Sequence, residues 1–273
     1  MKLQILCPQW GQEELSVEDF IIKVKKAGYD GIDTWVPGNR SERNRLMRLL
    51  DQYGLMMVSH QHQAGGCTID EFCRSFEYYL YLSAETHPVL INSHSGKDYF
   101  SLEDQCRLID IAENFSLKYK IPVAHETHRG RMYYCPQNAK ELFRLRPSVK
   151  LTADFSHWVC VTESYLENFG PILSEAIDKT IHVHARIGFP EGPQIPDPRS
   201  EHWKEPATKF MEWWRQIIIN RKNKGAGTLT ITCEFGPPPY MWTDSNNNPV
   251  ASQWDVNMYM QQLLRKAFES TEV

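Results

Sequence analysis

The feature that most constrains this chain is a strict alternation. Eight apolar runs of strand length are each followed by a longer amphipathic stretch. Short apolar runs separated by helix-period segments read as parallel strands joined by crossover helices. Strands are expected over residues 3–7, 31–36, 55–60, 89–94, 122–126, 149–154, 181–186 and 228–234. Helices are expected over 16–27, 41–53, 69–82, 102–119, 137–145, 172–179, 205–221 and 255–268. Ser16 ahead of Glu18 and Asp19, and Thr68 ahead of Asp70 and Glu71, place caps and acids at helix starts. Gly28, Gly31 and Gly54 fall at helix-to-strand joints, where C-terminal caps belong. Eight units in 273 residues, with no Gly-rich linker, predict one domain spanning 1–273 and closed as a (β/α)8 barrel. An open doubly wound sheet is the competing topology, but no G-x-G-x-x-G follows the first strand.

Chemistry gathers at four strand ends: His125-Glu126-Thr127-His128, Asp154-Phe155-Ser156-His157, His182-Val183-His184 and Thr232-Cys233-Glu234-Phe235-Gly236. In a closed barrel such ends converge on the C-terminal face. Side chains two apart share a strand face, so Glu126 lies above Ala124, Asp154 above Thr152, and Glu234 above Thr232 and Thr230. Small residues beneath each acid suit an inward-pointing carboxylate. Three unpaired carboxylates there would be costly, and one divalent cation shared among them removes that cost. The expected ligands are Glu126, Asp154, His184 and Glu234, a donor set suited to Mn²⁺, Mg²⁺, Co²⁺ or Zn²⁺.

His182 sits lower on its strand, and His128 lies beyond Glu126; both are expected to support the site without ligating the metal. His157 and Arg186 are expected to contact substrate, as are His94, His62 and Trp10 at other strand ends. Asp33, Trp35, His60 and Asn92 are further supporting groups, and Trp10, Trp35, Trp158 and Phe235 are candidates for an apolar wall. The Pro-rich segment 188–203 is expected to form an ordered wall or lid, and Pro237-Pro238-Pro239 to stiffen the opposite rim.

The formal net charge of -4 gives no electrostatic footprint for nucleic acid. Seven cysteines, none in C-x-x-C spacing, read as reduced thiols, with Cys7, Cys160 and Cys233 inside strand-like runs. The N-terminus runs straight into a strand, and no apolar stretch approaches the roughly 20 residues of a membrane span. A cytoplasmic protein, free to form a homo-oligomer, is the expectation.

The order Glu126, D-x-x-H at Asp154 and His157, H-x-H at His182 and His184, then Glu234 before Gly236-Pro237 resembles the xylose isomerase-like TIM barrel superfamily. The resemblance spans essentially the whole chain. It implies a sugar isomerase or epimerase in which Glu126 and Glu234 act as acid and base on a small sugar or polyol-like substrate. One divalent metal, held by those glutamates with Asp154 and His184, polarises the carbonyl. The family arginine lies further past its histidine than Arg186 does. A dehydratase of a keto-inositol-like substrate begins with the same proton abstraction. Endonuclease IV members need extra zinc ligands, including a D-x-H pair; here Asp197-Pro198-Arg199 stands there without the histidine, and His62 and His94 are candidates for additional ligands. A non-catalytic sugar-binding barrel is the alternative of a different class.

Overall fold

A ring of eight strands surrounds the barrel axis: β1 (Lys2–Pro8), β2 (Gly31–Thr34), β3 (Met56–Gln61), β4 (Leu90–Ser93), β5 (Val123–Glu126), β6 (Leu151–Ala153), β7 (Thr180–His184) and β8 (Thr228–Thr232). All neighbours pair in parallel and β1 closes onto β8, so the sheet is a closed (β/α)8 TIM barrel forming a single domain. The structure is a computed structural model and describes residues 1–268. Its helices are α1 (Val17–Lys26), α2 (Arg40–Tyr53), α3 (Ile69–Ala84), α4 (Leu102–Tyr119), α5 (Pro136–Leu145), α6 (Phe155–Thr162), α7 (Gly170–Lys179), α8 (Lys204–Asn223) and α9 (Gln253–Phe268).

Local chemistry accounts for the helix ends. Ser16 caps α1 by accepting from the Asp19 amide. Thr68 and Glu71 form a reciprocal capping box on α3, satisfying two amides that the first turn leaves open. Gly54 ends α2 in the left-handed conformation at φ 58°, which a side chain disfavours. Gly31, by contrast, is the first residue of β2 and caps nothing. On α1 the spacing of Phe20, Ile21 and Val24 turns one face onto the barrel; burying each contributes about 1.5–3 kcal/mol.

Strands sandwiched between the helix ring and the barrel interior are buried almost throughout. The interior changes character along the axis. Leu6, Val58, Leu90 and Ala124 pack together below, and polar side chains from the same strands take over above. Period-two facing lifts His60 above Val58, Asn92 above Leu90 and Glu126 above Ala124.

Several strands end earlier than the apolar pattern suggests. β2 stops at Thr34, β4 at Ser93, β6 at Ala153, β7 at His184 and β8 at Thr232. Hydrophobicity continues because the following residues stay buried, yet the hydrogen-bond ladder has ended. Asp154, Arg186 and Glu234 therefore sit on the first residues of the loops. Helix α6 is a correction: it occupies a stretch expected to be loop, and Cys160 lies half-buried on it and not in a strand. Its sequence FSHWVCVT is β-branched and aromatic, which masks the helix, and Asp154 starts it by accepting from the Ser156 amide. All seven cysteines are free thiols. Among the described residues, no helix is long and apolar enough to cross a membrane.

Candidate active site

At the C-terminal end of the barrel, one ligand atom each from Glu126, Asp154, His184 and Glu234 lies within 4.8 Å of the others, and all four residues are buried. β5 and β7 bring Glu126 and His184 to the rim, while the turns after β6 and β8 bring Asp154 and Glu234. His184 Nδ1 lies 2.7 Å from Glu234 Oε2 and 3.5 Å from Glu126 Oε2. Despite this closeness, His184 Nδ1, Glu234 Oε2 and Glu126 Oε1 are buried without a partner in hydrogen-bond geometry. Their lone pairs face a common space. Nitrogen and carboxylate donors clustered this way, and otherwise orphaned, fit a divalent cation.

The outer face of His184 is fixed by Asp33, whose Oδ2 lies 3.1 Å from Nε2. That contact directs Nδ1 toward the cluster, the arrangement in which a carboxylate orients a metal-binding imidazole. Asp33 Oδ2 also accepts from Thr232 Oγ1 at 2.9 Å and lies 3.4 Å from His182 Nε2. His182 is anchored in turn by Thr230 Oγ1 at 2.7 Å from its Nδ1. Thus His182 supports Asp33 from below, and Asp33 supports His184.

Arg186 is the only guanidinium buried among the acids of the described residues. It pairs with Asp154 Oδ2 through Nη2, lies 3.4 Å from Glu234 Oε2, and contacts His157 Nε2 at 2.9 Å. Four carboxylates, of Asp33, Glu126, Asp154 and Glu234, are buried at this end of the barrel, and Arg186 pairs with two of them, Asp154 and Glu234. Burial would raise the Glu126 carboxyl, but His94 and His184 more than offset it and hold it well below the usual range. Burial also raises Asp154; Arg186 lowers it, and Glu234 and Glu126 push it back up to about 7. Burial would lower His184, yet Glu234 and Glu126 hold it well above its ordinary value.

A cavity of about 300 Å³ opens above the cluster, lined by Trp10, Asp33, Trp35, His60, His62, His94, Glu126, His128, Arg131, Arg186, Glu234 and Tyr240 among others. One wall is a file of imidazoles, with ring centroids 5.5 Å apart from His62 to His60, 4.5 Å to His94 and 4.3 Å to His128; His157, 3.9 Å behind His128 and fully buried, is not in the wall and contacts Arg186 where a substrate contact was expected. Burial keeps His94 and His157 well below the ordinary imidazole range, and His62 and His128 near 4, so these rings are neutral at neutral pH.

Most residues singled out in the sequence converge here, with some reassignment. His94 Nε2 is 3.0 Å from Glu126 Oε2, against the acid itself. His60, and not His62, joins His94 and Glu126 in a second group of potential ligands, because β3 ends at Gln61 and carries His62 outward. His128 lines the cavity and does not stand behind it. Trp10 and Trp35 form the wall, whereas Trp158 and Phe235 are fully buried in the core; the Trp158 indole donates to the Tyr133 carbonyl at 2.8 Å.

The 188–203 segment is not part of the cavity wall. Gln194 within it donates to the Gly236 carbonyl at 3.2 Å and accepts from the Gly236 amide at 2.7 Å, so it braces the turn carrying Glu234. Gly236 itself has no room for a side chain, since a Cβ would lie 2.2 Å from the Trp10 ring. Arg131, Tyr240 and Ser156 were missed in the sequence. Arg131 sits in a basic turn that reads as solvent-exposed, and Tyr240 follows a proline run. Ser156 had a usable signal, since Asp154 two residues ahead of it is a helix-capping pattern.

An eight-stranded parallel barrel with acids and imidazoles at its C-terminal rim is a well-populated enzyme architecture. No family model and no curated protein matches the chain in sequence. Solved structures match it along nearly its full length, and its fold is that of the xylose isomerase-like TIM barrels. A xylose isomerase-like TIM barrel protein from Mycobacterium smegmatis, in complex with magnesium, superimposes with a TM-score of 0.63 at 12% identity, covering 97% of each chain. The 3-keto-D-glucoside 4-epimerase YcjR from E. coli gives 0.62 at 12% identity, covering 97% of this chain and 100% of the other. The probable 3-DHS dehydratase AsbF from Bacillus anthracis gives 0.57 at 15%, covering 96% and 98%.

Proposed function

We propose that the protein is a divalent-metal-dependent isomerase or epimerase of a small sugar or sugar-like substrate. The observation that carries this reading is the pair Glu126 and Glu234. Both line one cavity, both flank His184, and each has a buried oxygen without a hydrogen-bond partner. Two carboxylates facing one cavity suit removal of a proton from the carbon beside a carbonyl and its return from the other side. Asn92 Nδ2 donates to Glu126 Oε2 at 2.7 Å, fixing the carboxylate so that Oε1 stays free. Arg186, through Asp154 and Glu234, holds the opposite side of the cluster in place. Trp10, Trp35 and Tyr240 keep water from the reacting carbon, while His62, His94 and His128 supply neutral partners for substrate hydroxyls. A cation held by Glu126, Asp154, His184 and Glu234, whether Mn²⁺, Zn²⁺, Co²⁺ or Mg²⁺, would polarise the carbonyl and increase the acidity of the neighbouring C–H.

The test is solvent exchange. Metal-loaded protein incubated in D₂O with a panel of ketoses and aldoses should wash deuterium into the α position, read by proton NMR. Glu126→Gln and Glu234→Gln should each abolish the exchange while keeping the fold. Exchange that survives both substitutions sinks the assignment, and absence of turnover on any sugar favours a non-catalytic binding barrel. A dehydratase using the same base is told apart by its product, since loss of water generates an absorbing enone. The His60–His94–Glu126 group favours a second reading, in which more than one ion binds as in endonuclease IV. Metal analysis decides it: one ion per chain supports the isomerase, and three support the nuclease.

A further inference from the structure

Two guanidiniums line the cavity, and they differ in one respect. Arg186 is fully engaged by Asp154, Glu234, Ser156 and His157. Arg131, on the turn after β5, has its Nη1 buried with no hydrogen-bond acceptor, and among the described residues it forms no ion pair. The imidazoles around it add no negative charge. Burial disfavours the charged guanidinium, and Glu126, Asp98 and Tyr99 offset this only in part. Lys97, half-buried nearby, repels it further. A half-buried cation with an unmet buried donor, on a side chain that lines a cavity, is unfavourable unless an anion arrives to meet it.

We propose that Arg131 is a specificity residue that binds an anionic group, carboxylate or phosphate, on the substrate. The planar fork of an arginine matches the oxygens of either group, and Lys97 strengthens the local positive field. This rests on the isomerase reading only in naming what the anion is attached to. The substrate is then a sugar acid or sugar phosphate, and not a neutral sugar.

The experiment compares matched ligands on the metal-loaded protein: D-gluconate and D-glucitol 6-phosphate against neutral D-glucitol, by titration calorimetry. At least one anionic ligand should bind about ten- to hundredfold more tightly than the polyol, the span of one or two charge-assisted hydrogen bonds. Arg131→Met should remove that advantage, lowering the affinity of the anionic ligand at least tenfold more than that of glucitol, and Arg131→Lys should restore part of it. Preference for gluconate identifies a carboxylate as the anion, and preference for the phosphate ester identifies a phosphate. Equal affinity for all three ligands overturns the proposal, as does an anion preference that survives Arg131→Met, which would place the anion on the metal. The two readings fail separately. Deuterium exchange confined to neutral sugars rejects the anion site and keeps the isomerase, whereas Arg131-dependent anion binding without any exchange rejects the isomerase and keeps the anion site.

Discussion

Replacing Arg186 with methionine keeps the side chain's bulk but removes the only fixed positive charge beside Asp154, a carboxylate with no solvent exposure. Breaking a buried pair by deleting one partner costs about 3–5 kcal/mol, because the other charge stays behind unpaired. The cost here belongs toward the lower end of that range in metal-free protein: Glu234, 3.4 Å from the same nitrogen, loses its cation as well, but Asp154, already raised to about 7 with Arg186 in place, can take up a proton. At roughly 2–4 °C per kcal/mol, the melting temperature falls by roughly 6–20 °C. A divalent ion supplies a countercharge to the same oxygens, so added Mn²⁺ or Zn²⁺ should recover more stability in Arg186→Met than in the wild type. Urea denaturation of wild type, Arg186→Met, Asp154→Asn and the double variant, each with and without EDTA, measures the coupling. The reasoning fails if Arg186→Met costs less than about 1 kcal/mol without metal, or if the two substitutions are simply additive.

Asp33→Asn leaves the fold intact but exchanges the carboxylate that orients His184 for an amide. Metal affinity measured by competition with a chelator should drop by about 10–100-fold, and unchanged affinity would remove Asp33 from the site's support. Acid stability follows from His125, a fully buried imidazole whose Nδ1 lies 2.6 Å from Ser95 Oγ and whose pKa burial pushes down to about 3. Its folded value lies below its unfolded one, so the unfolded chain takes up the proton first. Stability is then complete above about pH 6.5 and falls by about 1.4 kcal/mol per unit as the pH drops toward 3. His125→Asn should flatten the slope of unfolding free energy against pH in that window by about one proton, and an unchanged slope would count against the assignment.

The barrel was legible in the chain because parallel strands covered on both sides must be apolar, and helices between them must be amphipathic. That contrast marks all eight units. Glu126, Asp154, His184 and Glu234 stood out for a related reason: a carboxylate or imidazole closing an apolar run is out of place unless something holds it. Strand ends were less legible, because burial continues past the last ladder bond at Ala153, His184 and Thr232. Helix α6 was hidden by residues that favour strands and form a helix only under tertiary packing. Arg131 could not be told from a surface arginine, since its meaning lies in what it fails to touch.

The contacts of Gln194 with Gly236 have an engineering consequence. In many barrels the loops at the catalytic end can be exchanged one at a time, so substrate range shifts while the acids stay put. Here the segment after β7 and the turn after β8 are tied by a two-way amide clasp, and Asn257 of α9 holds Phe235 from the other side at 2.9 Å. Grafting a foreign loop over 188–203 would therefore release the turn that carries Glu234. New specificity in this scaffold has to be sought by transplanting both loops as one unit, or from the β5 side, where the turn bearing Arg131 takes no part in the clasp.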